Sequence, residues 1–199
     1  MWPWEHVLFA YVFYSIYTHV RWQKRPSDAP IVALAVGSVL PDLVDKPLAW
    51  QFGVFESGYA LAHSVLVVVP VAAVVYLFAK RHSHGSVGAA YGTGHLLHIA
   101  GDVLPVSLAH GALDLTPMLW PIGEPPGVAD QETVSFLSGV YTHLSGYATE
   151  LATLDLTPVI ALQIGSLILG LILWTYDGFP GLRLLIRWAQ VGRRMAARR

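Results

Sequence analysis

Long apolar stretches, separated by short polar or proline-containing segments, dominate the hydrophobic pattern of the chain. A membrane-crossing helix needs about 20 predominantly apolar residues, and several stretches approach or exceed that length. The pattern therefore predicts an all-α fold, a polytopic membrane bundle of about five transmembrane helices plus a C-terminal amphipathic helix. The predicted spans are residues 5–22, 31–45, 59–79, 86–109 and 156–176. Because proline cannot donate a helical hydrogen bond, we expect Pro41 and Pro47 to end the second span.

The segments after the fourth span have a different character. Residues 134–148 predict a helix on the membrane surface. Residues 182–199 form a basic amphipathic pattern with arginines close to one stripe, which is typical of a helix lying on an anionic membrane surface. We therefore divide the chain into a transmembrane domain, residues 1–181, and a basic cytoplasmic tail, residues 182–199.

The composition agrees with a membrane protein. Charged residues make up 13% of the chain and hydrophobic residues 54%, whereas a soluble domain carries about 25% charged residues. The absence of cysteine excludes disulfides and thiolate metal ligands. A net charge of −1 gives no indication of the positively charged surface that nucleic-acid binding requires. The expected partners are therefore membrane lipid and a small-molecule or lipid ester substrate, with no nucleic acid.

The basic residues predict the orientation in the membrane. With five spans and the N-terminus outside, 11 of the 12 Lys and Arg residues fall on the cytoplasmic side, and Lys46 lies outside. Cytoplasmic loops are enriched in Lys and Arg, so this arrangement is favoured. A sixth span through residues 134–148 would place the arginine-rich tail outside, and we reject it. The prediction is a multi-pass cell-membrane protein with an outer N-terminus and a cytoplasmic C-terminus.

Three polar side chains share one face of the fourth apolar stretch. At about 100° per residue, His98 lies about 60° from His95 around the helix, and Asp102 falls between them. A charged side chain near the bilayer centre costs about 2.5–3.5 kcal/mol on insertion scales, so such groups usually serve an interior site. Imidazole and carboxylate one turn apart can bind one cation together. The stretch therefore favours a metal site, and a buried polar network that only ties helices together is the alternative.

The predicted topology brings further His and Asp residues to the same outer membrane level, and His63 is expected one turn inside the third span. A common depth for residues so far apart in sequence indicates a shared site. The predicted metal ligands are Asp42, His63, His98, Asp102 and His95, and the predicted catalytic residues, which would complete the site or act as general base, are Asp45 and His6. Zn²⁺ with an open position is the favoured cofactor, and Mn²⁺ or Fe, in a mixed or two-metal site, stays open.

The remaining histidines are expected to lie away from this site. His110 and Asp114 repeat the His-x3-Asp spacing, but in a loop, and His143 is similar. The histidines predicted to be solvated at the cytoplasmic end are His19, His82 and His84.

Motifs for a protein nucleophile are missing from the sequence. There is no Gly-x-Ser-x-Gly, no P-loop and no Gly-x-Gly-x-x-Gly. Water activated by a metal is therefore the more economical nucleophile. The sequence predicts a membrane-bound metal-dependent hydrolase that acts on an ester, such as a phosphoester or a lipid, at an outward-facing site. A metal- or proton-handling transporter and a non-catalytic membrane scaffold are the alternatives.

Four short motifs resemble, in order, those of a family of inner-membrane metal-dependent hydrolases that includes the LexA-regulated membrane hydrolases of bacteria. The motifs are Leu40-Pro41-Asp42 with Asp45, His63-Ser64, Gly94 to Asp102, and Leu119-Trp120-Pro121. The resemblance covers residues 4–122. It implies a membrane-bound metal-dependent hydrolase, and the form of the motifs is similar to that of archaeal members.

The chain departs from the family pattern at two points. The second aspartate, Asp45, follows Asp42 at a spacing of three instead of two. A His-Arg pair of the family is replaced by Gly58-Tyr59, so one imidazole and one arginine are lost. His95 is the candidate to replace the imidazole, and no residue obviously replaces the arginine.

Overall fold

The computed structural model describes residues 1–123, 136–153 and 157–196. These residues form seven α-helices and one 3₁₀ turn, and no β-strand occurs among them. The helices are α1 (Pro3–Trp22), α2 (Asp28–Trp50), α3 (Val65–Arg81), α4 (Gly85–His110), α5 (Phe136–Thr153), α6 (Pro158–Tyr176) and α7 (Leu182–Ala196), and the 3₁₀ turn is Thr116–Met118. The predicted all-α fold is confirmed for the described part of the chain.

The predicted count of about five membrane spans is not supported. Among the described residues, α6 is the one helix long and apolar enough to cross a membrane, by length and composition alone. α3 has 17 residues, fewer than the roughly 20 that a crossing needs. α1, α2 and α4 are long enough, but buried ionisable residues interrupt their apolar sequences. The ionisable residues that we predict to form a site therefore also make α1, α2 and α4 less apolar than a membrane-spanning helix.

Two helix boundaries differ from the prediction. α2 continues through Pro41 and Pro47 and ends at Trp50, so the prolines do not end it. Extensive packing of α2 along α4 supports the helix past both prolines, because tertiary contacts can override a local helix breaker. α3 begins only at Val65, so His63 lies in the turn before that helix instead of one turn inside it.

Helix α4 is the centre of the bundle and packs against α1, α2, α3 and α6. On one side, Gly37 of α2 and Gly94 of α4 let the two backbones touch, since a Cβ added to Gly94 would overlap the carbonyl group of Leu34. On the other side, Gly88 and Gly92 face α3 and allow its close approach. These contacts fix the position of α4, which carries three of the predicted site residues.

Among the residues that the structure describes, two apolar clusters form the core on either side of these contacts. The larger one joins α1, α2 and α4 through Ala10, Tyr11, Tyr14, Ile31, Leu34 and Ala90. The smaller one joins α3 to the later turns of α4 through Val68, Ile99 and Val103. Both clusters hold α4 against its neighbours.

A buried polar cluster joins α1 to the end of α6. The carboxylate of Asp177, directly after α6, is hydrogen-bonded to Tyr11, Ser15 and the His19 ring at 2.5–2.7 Å. Burial alone would raise the pKa of Asp177, but these hydrogen bonds outweigh burial and lower that pKa. His19, which we expected to be solvated, is therefore partly buried and engaged in holding α1 against α6.

Candidate metal centre

Two histidines face each other at the centre of the predicted site. His98 of α4 and His63, in the turn before α3, are both buried, and their Nε2 atoms lie 3.0 Å apart. Nδ1 of His98 donates to the carbonyl oxygen of Ser38 at 2.7 Å, and Nδ1 of His63 donates to the Asp45 carboxylate at 2.8 Å. Because both Nδ1 atoms face acceptors, each ring, when neutral, carries its hydrogen on Nδ1 and directs the Nε2 lone pair toward the other ring.

Two buried aspartates close the same space. Oδ2 of Asp102 lies 3.3 Å from Nε2 of His98 and 3.5 Å from Nε2 of His63. Oδ1 of Asp42 lies 3.6 Å from Nε2 of His63 and 3.7 Å from Nε2 of His98. Ligand atoms placed tetrahedrally at 2.0–2.1 Å from Zn²⁺ are separated by about 3.3–3.4 Å. Each aspartate therefore lies at nearly tetrahedral spacing from both histidines.

A cation among these four groups would offset the negative charge of both carboxylates. Two imidazole lone pairs and two carboxylates point into one buried space, and Oδ2 of Asp42 and of Asp102 have no hydrogen-bond partner among the described residues. Each carboxylate has a cation on its other oxygen, since Lys46 Nζ lies 2.7 Å from Asp42 Oδ1 and the amino group of Met1 lies 3.1 Å from Asp102 Oδ1. Lys46 therefore pairs with the same Asp42 oxygen that faces the histidines, whereas Oδ2 of Asp102, which faces them too, has no cation beside it other than a histidine ring. The chemistry of this donor set could hold a divalent metal ion.

His6 of α1 adds a fifth group beside this set. Its ring stacks on that of His98 with centroids 3.7 Å apart, and its Nε2 lies 3.2 Å from Oδ1 of Asp102. Nδ1 of His6 has no hydrogen-bond partner in the described ranges, although the ring is fully buried. One group that could hold a metal is His6, His98 and Asp102, and a second is Asp42, His63 and His98. Both groups contain His98. The residues could therefore hold one metal ion or two that share His98.

Asp45 fixes the turn that carries His63. Its carboxylate accepts the backbone N–H groups of Ala60, Ala62 and His63 at 2.9–3.1 Å, in addition to the ring of His63. Those N–H groups point at α2, which is why α3 does not extend back to include His63. An orienting hydrogen bond of this kind is common on metal-ligating histidines. The contacts favour a positioning role for Asp45, and its predicted catalytic role stays a prediction.

The ring nitrogens of His95 are engaged outside the centre. Nε2 donates to the carbonyl oxygen of Ala62 at 2.9 Å, and Nδ1 lies 3.4 Å from the hydroxyl of Tyr91. His95 belongs to neither of the two groups that could hold a metal. Its contact with Ala62 ties α4 to the turn that carries His63, so these contacts do not support the ligand role that we predicted for it.

Two residues of the centre were not among the predicted site residues. Lys46 pairs with Asp42 one helical turn away, a spacing that the sequence itself contains. Tyr59 packs edge to face on His63 with ring centroids 5.0 Å apart. The charge of Asp102, followed by burial and the charge of the α2 aspartate, raises the pKa of Tyr59 well above its ordinary value, so the phenol keeps its proton. Tyr59 occupies the arginine position of the resembling family, which is the signal that singles it out.

The second His-x3-Asp pair lies at the surface, apart from this centre. Nδ1 of His110 lies 2.8 Å from Oδ2 of Asp114. Hydrogen bonds from the hydroxyl and the backbone N–H of Thr116, helped by His110, lower the pKa of Asp114. His82 and His84 are exposed, as expected, and the side chain of His143 lies outside the described residues.

Over residues 1–123, 136–153 and 157–196, fold and site together define an all-helical protein with a buried histidine–aspartate centre and one helix able to cross a membrane by length and composition. The chain belongs to the YdjM inner membrane protein family, whose model matches residues 1–186. This match extends the resemblance of residues 4–122 over most of the chain, and it confirms the prediction of a membrane protein. Neither the comparison with curated proteins nor the comparison with solved structures gives a match.

Proposed function

We propose that this chain is a membrane-bound metal-dependent hydrolase that cleaves an ester, such as a phosphoester or a lipid ester, at an outward-facing site. The observation that carries the proposal is a buried set of ligating atoms: the Nε2 atoms of His63 and His98 lie 3.0 Å apart, and an oxygen of Asp42 and one of Asp102 each lie 3.3–3.7 Å from both. Nitrogen and oxygen ligands at this spacing favour Zn²⁺, with Mn²⁺ or Fe as the alternatives. We include the hydrolytic chemistry and an archaeal source in the proposal because the four motifs resemble those of the membrane hydrolase family and of its archaeal members.

The residues around the centre have separable roles. A bound divalent cation supplies Lewis acidity, which polarises an ester oxygen and lowers the pKa of water. His63 and His98 would hold it through Nε2, while Asp45 and the carbonyl group of Ser38 keep both rings in the required tautomer. His6 lies beside the set, and its Nδ1 accepts or donates no hydrogen bond among the described residues. It is therefore our candidate for the general base that accepts a proton from the attacking water.

The surface of the bundle supports a position in the membrane. Large apolar side chains are exposed along α3 and α6, among them Leu66, Val69, Val74, Leu77, Phe78, Ile168, Leu171 and Ile172. Exposed apolar faces of this extent mark contact with lipid or protein. We propose that α6 crosses the membrane, that α1–α4 are embedded beside it, and that α7 lies on the cytoplasmic surface with the N-terminus outside.

Single-cysteine labelling tests this orientation, because the natural chain has no cysteine. Phe52→Cys, in the exposed loop after α2, is expected to react with a membrane-impermeant maleimide on sealed cells. His82→Cys, at the exposed end of α3, is expected to react only after the membrane is opened. Labelling of the His82 variant on sealed cells, with the Phe52 variant protected, would reverse the orientation and place the site inside.

Hydrolysis is tested on protein purified in detergent and loaded with metal, against a panel of lipid phosphoesters and carboxylic esters in ¹⁸O-water. We expect a product that contains solvent oxygen, loss of the reaction with a chelator and its recovery with added metal. His6→Gln is expected to lower kcat by about 10²–10⁴-fold, the usual contribution of a general base. His82→Gln, the matched control, should keep full activity. Metal-loaded protein that cleaves no ester of the panel would contradict the proposed activity.

A further inference from the structure

A cavity opens beside the candidate metal centre, between the loop after α2 and the segment that follows the 3₁₀ turn. Its volume is about 290 Å³, and its walls include Phe55, Glu56, Tyr59, Trp120 and Pro121. Ligand pockets in proteins start at about 300 Å³. The cavity therefore suits a small chemical group rather than a whole lipid.

The cavity and the metal centre share Tyr59. Its side chain lines the cavity and also contacts the ring of His63 edge to face, with centroids 5.0 Å apart. Ser64, the residue after His63, donates its hydroxyl hydrogen to the backbone carbonyl of Trp120, so the opposite wall is tied to the same turn. A group held in the cavity is therefore separated from the centre by one aromatic ring.

The walls combine three aromatic side chains with a carboxylate. Phe55 and Trp120 pack edge to face with centroids 5.7 Å apart, and Tyr59 supplies the third ring. The carboxylate is that of Glu56, which is exposed to solvent. No Lys, Arg or His lines the cavity within the part of the chain that the structure describes. An anion would find no counter-charge there, whereas a cation gains from the aromatic rings and from the carboxylate.

We propose that this cavity is an aromatic cage for the quaternary ammonium head group of an ester lipid, and that it thereby holds the ester at the metal centre. Cages of aromatic rings recognise choline and methylated ammonium groups, because ring quadrupoles attract a desolvated cation. Glu56 disfavours a phosphate in this position, and its charge also disfavours an acyl chain. The inference rests on the proposed function, since it assigns a substrate class to that same site.

Choline and its neutral isostere 3,3-dimethyl-1-butanol have the same shape and differ in charge. Comparing their affinities therefore measures how much the positive charge contributes to binding. Each is titrated calorimetrically into the purified full chain in a maltoside detergent, which has no ammonium group of its own. Choline is expected to bind about tenfold more tightly than the isostere, because only choline carries the charge that the rings and Glu56 attract. Equal affinity for the two compounds, or no binding of choline, would overturn the cage.

Two variants and a matched control place the binding at this cavity. Phe55→Leu keeps an apolar wall without the ring and is expected to weaken choline binding about tenfold. Glu56→Gln is expected to weaken it about threefold and to leave binding of the isostere unchanged. Phe52→Leu changes an exposed aromatic side chain of the same loop that does not line the cavity, and it should bind choline like the wild type. Unchanged binding in Phe55→Leu would contradict the assignment.

Short-chain lipids distinguish a lipid head group from free choline. Dihexanoylphosphatidylcholine is expected to displace choline, and dihexanoylphosphatidylglycerol is not. Displacement by neither lipid would overturn the lipid assignment. Metal content is measured on the same samples: protein that binds choline without binding metal supports the cage and refutes the proposed hydrolase, whereas protein that binds metal but does not prefer choline refutes the cage alone.

Discussion

Changing His98 to alanine is expected to lower the affinity of the protein for Zn²⁺ by about 10²–10³-fold. A four-ligand zinc site supplies roughly 10–16 kcal/mol, so one ligand accounts for about 2.5–4 kcal/mol. His63→Ala should have an effect of the same size. The double variant should add little, because loss of either histidine already opens the site. Competition with a fluorescent chelator measures all three affinities.

Two further substitutions test the ligand assignment, one beside the metal centre and one away from it. Asp45→Asn keeps the shape of the side chain but removes the carboxylate that orients His63, so it is expected to cost about 10–100-fold in metal affinity. His110→Ala should change nothing, because its ring pairs with Asp114 at the surface. A protein that loses its metal with His110→Ala and keeps it with His63→Ala would contradict the ligand assignment.

Gly94→Ala is expected to be among the most destabilising single substitutions in the bundle, at about 3 kcal/mol or more. The added methyl group would overlap the backbone carbonyl of Leu34, and Gly37 meets the backbone of Tyr91 in the same way. Backbone cannot swing aside as a flexible side chain can, so α2 and α4 must separate. That separation moves the ligands of α4 away from Asp42, and metal binding should be lost together with stability.

Gly165→Ala in α6 is the matched control for this substitution. A Cβ added to Gly165 meets no atom within 4 Å, and alanine is favoured over glycine in a helix by about 0.5–1 kcal/mol. The control should therefore unfold at the wild-type temperature or slightly above it, with wild-type metal content. Thermal unfolding in detergent provides the comparison. Gly94→Ala protein with a wild-type midpoint and wild-type metal content would show that the α2–α4 contact is not essential.

Four residues of the centre could be predicted because ionisable groups are costly in apolar stretches of a membrane protein. His98 and Asp102 share a face of α4 through helical periodicity alone, and the structure brings Asp42 and His63 to the same buried space. Periodicity and apolar context depend on local sequence, so they can be recognised without knowing how the helices pack.

Features that depend on contacts between distant segments could not be predicted. The turn at His63 exists because Asp45, 18 residues earlier, accepts its backbone N–H, and a hydropathy pattern carries no such information. The pattern also does not reveal that Gly94 meets α2 instead of α3. The span count failed for another reason: α3 is shorter than the predicted span, and buried ionisable residues interrupt the apolar sequences of α1, α2 and α4.

The metal content of protein purified without a chelator tests the central claim most directly. Mass spectrometry of the elements would compare wild-type protein, His98→Ala and His110→Ala, each quantified per chain. We predict about one equivalent or more of a divalent metal in the wild type and in His110→Ala, and almost none in His98→Ala. Wild-type protein that carries no stoichiometric metal, and binds none at neutral pH, would contradict the account and identify the cluster as a polar network that ties the helices together.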